Sequence, residues 1–236
     1  MKVLVIPDVH LKPRLFVRGA DLLERGEAER AVCLMDIADD WDCMFNLDLY
    51  IRTYDRAIEF ARAFPDTLWC WGNHDVCYLW NMRESGYSGF AAGMVCRRLM
   101  ELKEALPDPD RIAFVHRLDR VLFSHAGLSE TFVRTYAGDL PPEDTDAVIG
   151  RINSLTWTEL WQDISPIWYR HREMGGSLYR EEDLLQVTGH TPVKKVRRRG
   201  NLIECDVFST HPGGRPIGSR QFLILDTQTW EWKSIP

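Results

Sequence analysis

The chain has no cysteine pair at clip spacing. Its six cysteines (Cys33, Cys43, Cys70, Cys77, Cys96 and Cys205) are scattered, and none forms a Cys-x-x-Cys motif, which excludes motif-type thiolate and redox sites. Cys33, Cys70 and Cys205 lie inside apolar runs of strand type, so buried free thiols in a reducing compartment are expected. Any apolar stretch of transmembrane length is also missing, and 1–6 runs into Pro7-Asp8 with no signal-peptide pattern. Cytoplasm, and no membrane partner, is the expectation. Excess positive charge is absent as well: 29 basic against 35 acidic side chains leave −6, which argues against general nucleic-acid binding. Repeats, linkers and low-complexity tracts are lacking, so 1–236 is expected to form a single domain. What is there is ordinary for a globular chain, 45% hydrophobic and 27% charged, with length enough to bury a large core.

Apolar periodicity gives a coarse plan. Residues 2–6 predict a buried strand, 14–25 a helix closed by Gly26, and 31–35 a second strand. A helix over 49–63 ends before Pro65, and 67–71 predicts a third strand. This β-α-β-α-β order implies a mainly parallel sheet with helices outside. A helix is expected over 88–105, stopped by Pro107 and Pro109, then antiparallel strands at 112–115 and 120–123. The tryptophan-rich stretch 128–185 predicts helices and loops over the strand ends, a wall of the site. Strand patterns at 186–189, 201–208, 221–226 and 229–233 predict a second sheet, with the basic run 194–200 as a solvated hairpin turn.

Five apolar runs end in polar tips: Asp8-Val9-His10, Asp36-Ile37-Ala38-Asp39, Gly72-Asn73-His74-Asp75, Ser124-His125-Ala126-Gly127 and Gly189-His190-Thr191-Pro192. They hold four of the seven histidines, and histidine with carboxylate suits a pair of divalent ions sharing one acid. Asp39, Asp40 and Asp42 crowd behind Asp36, which costs energy unless cations compensate. The plainer reading of that acidic run is a helix cap with first-turn acids. Gly72-Asn73-His74-Asp75 decides for metal. Its glycine permits a tight turn, its asparagine oxygen can bind a cation, and its histidine is left to face a substrate. His116, His171 and His211 are expected at the surface or in hydrogen bonds, and Trp41, Trp80 and Trp168 mainly in packing.

In order, these motifs resemble those of the calcineurin-like metallophosphoesterase superfamily: Asp-x-His, Gly-Asp-x-x-Asp, Gly-Asn-His-(Asp/Glu), His-x-Gly and Gly-His. The resemblance runs from residue 8 to residue 192. Ser124 to Leu128 and Gly189 to Pro192 are most similar to the phosphoprotein-phosphatase branch, in its bacterial and phage form. The resemblance implies a four-layer αββα sandwich, two mixed sheets flanked by helices. It also implies two divalent ions, Mn first and Fe or Zn otherwise, which would activate a water for in-line attack. Asp8, His10 and Asp36 would hold one ion; Asp36, Asn73, His125 and His190 the other. His74 would be the general acid and Asp39 its partner. Arg170 would grip phosphate. The second arginine of the branch is missing, because Asp40 stands in its place and Met35 replaces a glycine; Arg83 is the expected substitute. Protein phosphoserine or phosphothreonine is the leading substrate class, with a small phosphoester as the other form. The runner-up is a symmetrical dinucleoside tetraphosphate hydrolase. Retention of His74, Asp39 and the ligand set argues against a non-catalytic scaffold, and Pro192 with the acidic balance against a nuclease.

Overall fold

β1 (Lys2–Ile6) is a Val-Leu-Val-Ile run buried on both faces, as expected of a strand covered on two sides. In the computed structural model, which describes residues 1–236, α1 (Arg14–Glu24) turns Leu15, Phe16, Gly19 and Leu22 inward and returns the chain to β2 (Arg30–Cys33). α2 (Leu47–Ala63) then leads to β3 (Leu68–Cys70). It begins two residues before the expected start because the Asn46 side chain accepts from the Leu49 N–H and caps it. β1, β2 and β3 are parallel neighbours, each joined to the next by a helical crossover.

α3 (Asn73–Leu79) opens directly at the third polar tip. α4 (Ala92–Ala105) starts later than 88, since the Ser88 hydroxyl donates to the Met44 carbonyl and accepts from the Ala91 N–H. The expected hairpin over 112–123 is divided between sheets. β4 (Ile112–Ala113) extends the first sheet beside β3; beyond Phe114 the chain crosses over as β5 (Val115–Leu118), antiparallel to β6 (Val121–Ser124). Asn153 holds the crossing, accepting from the Phe114 and Val115 N–H groups and donating to the Val115 carbonyl.

Residues 128–185 hold four helices, α5 (Glu130–Ala137), α6 (Thr145–Asn153), α7 (Trp157–Leu160) and α8 (His171–Met174); of this stretch only Trp168 and Arg170 line the cleft. β7 (Leu185–Thr188), β8 (Arg197–Arg199) and β9 (Leu202–Glu204) complete the second sheet in the order β5-β6-β7-β9-β8. The basic run is therefore partly an edge strand: Arg197 pairs with Glu204 at 2.7 Å, and the turn falls at Gly200. The expected strand over 201–208 stops at Glu204, because the chain turns there to seat Asp206 on Ser209.

The last two strands depart from expectation. β10 (Phe222–Asp226) pairs antiparallel with β1, and β11 (Trp232–Ile235) with β10. Both belong to the first sheet, ordered β11-β10-β1-β2-β3-β4. The crossovers place β2 and β3 on one side of β1, and β10 fills the edge left on the other. The two mixed sheets pack face to face: one core of 48 buried residues takes Leu4, Val32 and Leu225 from the first and Phe123, Val187 and Ile203 from the second. A separate cluster sets Phe132, Val148, Ile152 and Leu160 against Val115 and Leu122, so helices cover the outer side of the second sheet.

Candidate metal centre

The polar tips that follow β1, β2, β3, β6 and β7 converge. Backbone hydrogen bonds lace the first two together: the Val9 and His10 N–H groups donate to the Met35 and Asp36 carbonyls at 3.0 and 2.7 Å. His10, Met35, Asp36, Asp39 and His190 all have φ between 41° and 61°. Such left-handed backbone costs non-glycine residues energy and persists only where its surroundings enforce it. Here it turns three chain segments, those of His10, of Asp36 and of His190, towards one point.

Each central carboxylate is anchored by one oxygen. Asp36 Oδ1 accepts from the His74 N–H at 2.9 Å, and Asp8 Oδ1 from the His190 N–H at 2.8 Å. Their Oδ2 atoms are left to the centre. A Cβ on Gly72 would run into Asp36 Oδ1, and one on Gly189 into Asp8 Oδ2; both glycines are required by close approach. The imidazoles are aimed likewise. His10 Nδ1 donates to the Asp39 carbonyl at 2.9 Å and His125 Nδ1 to that of Leu34 at 2.8 Å, which leaves both Nε2 atoms free for a cation.

Two donor triads result, Asp8-His10-Asp36 and Asp36-His125-His190, each with ligand atoms within 4.8 Å of one another. Asp36 belongs to both. His125 Nε2 is crowded by Asp36 Oδ2 at 3.1 Å, Asn73 Oδ1 at 3.0 Å and His190 Nδ1 at 3.2 Å. One ring nitrogen cannot satisfy three such neighbours, whereas a cation among them can. Asp8 Oδ2 and His190 Nε2 are buried with no hydrogen-bond partner, a costly arrangement for polar atoms that a bound ion resolves. Two carboxylates, three imidazoles and an amide oxygen thus fit a pair of divalent ions.

The charges are unbalanced without cations. Burial, helped by Asp206, raises Asp8 well above the usual carboxylate range. Burial also opposes ionisation of Asp36, but His125, His74 and His10 outweigh it and hold that carboxyl far below its ordinary value. Burial and the neighbouring His125 push His190 well down. His125 itself is driven up to about 9, since Asp36 overcomes the cost of burial.

His74 stands beside the triads at the start of α3. Its Nδ1 donates to Asp39 Oδ2 at 3.1 Å. Asp39 Oδ1 in turn accepts from the hydroxyls of Tyr50 and Tyr78. Burial lowers the imidazole's proton affinity, but Asp36, Asp39 and Glu84 prevail and raise it to about 10. The ring faces a cleft of about 400 Å³ walled also by Trp41, Trp168, Arg170 and Asp206.

Residues 1–214 match the calcineurin-like phosphoesterase family. The chain belongs to that family. No curated protein matches its sequence. Among solved structures, a cold-active protein-tyrosine phosphatase of the psychrophile Shewanella sp. superposes with a TM-score of 0.60 at 16% identity, over 100% of this chain and 80% of that one. A metallophosphoesterase from Sphaerobacter thermophilus gives 0.46 at 15% identity, over 100% and 88%. The E. coli phosphoesterase Yfce gives 0.43 at 14%, over 100% and 98%. At such identities the Shewanella likeness speaks for the fold alone.

As a calcineurin-like phosphoesterase, the chain is a phosphoric ester hydrolase of a family that typically works with two metal ions. The structure brings Asp8, His10, Asp36, Asn73, His125, His190, His74, Asp39 and Arg170 to one place. Arg170 Nη1 donates to the His190 carbonyl and Thr191 Oγ1 at 3.3 and 3.4 Å. Arg83 is not brought there: it is exposed and lies outside the cleft wall. Its neighbour Glu84 turns inward in its place. Asp40 is no bare acid either, being held by Lys12 Nζ at 2.8 Å and Thr210 Oγ1 at 2.9 Å.

Asp206 escaped the sequence reading, although an acid just past a strand is the same signal that marks Asp8 and Asp36. Glu84, Tyr50 and Tyr78 carry no such signal. His116 is buried and donates from Nε2 to the Trp69 carbonyl, as a structural histidine should. His211, expected at the surface or in a hydrogen bond, is exposed and forms part of the cleft wall.

Proposed function

We propose that the chain hydrolyses phosphomonoesters, with phosphoserine and phosphothreonine of proteins as its substrate class, in the manner of the phosphoprotein-phosphatase branch. The observation that carries this is the membership of Asp36 in both donor triads with His74 at their side. Two divalent ions, manganese foremost, would supply a nucleophilic water and charge neutralisation at phosphorus. The Asp8, His10, Asp36, Asn73, His125 and His190 side chains would hold them. Arg170 pairs with the phosphoryl oxygens through its guanidinium fork. As water adds to phosphorus and the ester P–O bond breaks, His74 gives its proton to the departing alkoxide. Asp39 accepts from Nδ1 throughout, fixing the ring and supporting its charge. No side chain is phosphorylated in this scheme.

Two features favour a monoester. Arg170 is the only lysine or arginine in the cleft wall, too little cationic charge for a tetraphosphate chain. Pro192 has no donor where a second histidine would add another ligand, which suits the phosphatase branch. The runner-up, dinucleoside tetraphosphate hydrolysis, draws support from Trp41 and Trp168 in the wall, either of which offers a base a stacking face. The deciding assay is a panel of phosphoserine, phosphothreonine and phosphotyrosine peptides, mononucleotides and diadenosine tetraphosphate with Mn²⁺. Phosphate release from the peptides is expected; ADP from diadenosine tetraphosphate as the dominant product would reverse the order. Six unpaired cysteines, four of them buried, suit a cytoplasmic setting.

A further inference from the structure

Glu84 sits outside every motif of the sequence, yet its carboxylate is almost completely enclosed at the edge of the metal centre. The side chain is 9% exposed. Oε2 accepts from Asn73 Nδ2 at 2.8 Å. Oε1 is buried without a hydrogen-bond partner, 3.9 Å from His74 Nδ1. Burying a carboxylate is expensive, so its position needs a reason that packing does not supply.

The reason lies in the asymmetry of an amide. Asparagine has one oxygen that can bind a cation and one NH₂ that cannot. At Asn73 the oxygen points to the centre, 3.0 Å from His125 Nε2, while the NH₂ meets Glu84. An ionised carboxylate accepts hydrogen bonds and donates none. A half-turn of the amide would therefore set oxygen against oxygen at Glu84 and turn an N–H towards the ion. Asp75, two residues along, is committed elsewhere, its Oδ1 accepting from the Ile37 N–H. Among side chains, Glu84 alone is hydrogen-bonded to the Asn73 amide NH₂.

We infer that Glu84 is a positioning residue that locks the Asn73 amide with its oxygen towards the Asp36-His125-His190 triad and so sets the affinity of that one ion site. This rests on the two-ion reading of the centre. Partners of this kind, acting through a ligand, typically contribute 10–100-fold in metal affinity.

Mn²⁺ titration by calorimetry, with electron paramagnetic resonance to count bound ions, tests it. Wild-type protein should bind two ions. Glu84→Ala should weaken one of them about 10–100-fold and leave the other unchanged. Its kcat should recover at saturating Mn²⁺ far more than that of His74→Asn, which loss of a catalytic residue would not allow. Glu84→Gln, whose amide can donate as well as accept, no longer enforces one Asn73 orientation and should weaken the same ion by a smaller factor than Glu84→Ala. A metal-free melting temperature close to wild type is expected for Glu84→Gln, so a folding defect in the alanine variant would not hide the effect. Two equally tight ions in either variant's wild-type manner would overturn the inference alone, as would equal weakening of both. Fewer than two ions on the wild type would overturn the two-ion reading, and this inference with it.

Discussion

The floor of the cleft and its rim are built differently. The floor is a set of strand-end loops in which ligand and backbone are one unit: Asp8 holds the His190 N–H, Asp36 holds the His74 N–H, and glycine lets each pair close. The rim is assembled by side chains from segments far apart in the chain. Trp41 Nε1 donates to the Thr210 carbonyl, Thr210 Oγ1 to Asp40, and Lys12 Nζ to Asp40 as well. A floor of this kind tolerates almost no change, while a rim of single side-chain bonds can be retuned one residue at a time. The reaction is fixed by the first and substrate preference is open to change in the second.

The sharpest way to break this contrast is Asp36→Asn, which should lower activity at least about 10³-fold and reduce bound Mn²⁺ from two per chain, because both triads lose their shared carboxylate. Elemental analysis of the purified variant checks it, and a preserved two-ion count would contradict sharing. His74→Asn should cost about 10²–10⁴-fold in turnover with ion count unchanged. Aryl phosphates, whose leaving groups need little protonation, should suffer least; hydrolysis at the wild-type rate would remove His74 from the mechanism.

Acid sensitivity separates the floor from the scaffold behind it. Burial lowers His116 to about 4 despite its bond to the Trp69 carbonyl, whereas an unfolded histidine titrates near 6.5. Between these values the unfolded chain binds a proton that the folded one refuses. Stability should therefore fall as pH drops from 6.5 towards 4, by up to about 3 kcal/mol. His116→Gln should remove that part of the slope in denaturant titrations at successive pH values. An unchanged slope would place the sensitivity at the centre instead.

Gly72→Ala forces a methyl against Asp36 and should cost about 1–3 kcal/mol of stability together with Mn²⁺ affinity. Thermal melts with and without Mn²⁺ would show it; a neutral result would mean the floor is softer than its bonds imply. The smallest effect is expected at the rim. Asp40→Ala frees Lys12 and Thr210 and should shift KM by about 5-fold, the worth of a hydrogen bond or two, with ion binding untouched. A large drop in kcat there would erase the distinction between rim and floor.

Much of the floor was legible before folding. Asp8, His10, Asp36, Asn73, His125 and His190 each lie within a few residues of a strand end, and a strand that stops at a shared sheet edge must deliver its next side chains there. The sheets themselves were only half legible. The patterns of 221–226 and 229–233 announce strands, but pattern alone does not say which edge a strand joins, and β10 went to β1 rather than to β7 or β9. Residues 112–115 likewise form one apolar run that two sheets divide.

Local order along the chain determined the reaction class, because metal ligands come as short motifs whose spacing survives in one dimension. Only the tertiary structure decided what surrounds them: that Arg83 stays outside, that Glu84 turns in, and that Lys12 disarms Asp40. Those contacts join side chains with no motif and no periodicity, so their energies arise only once distant segments share one cleft.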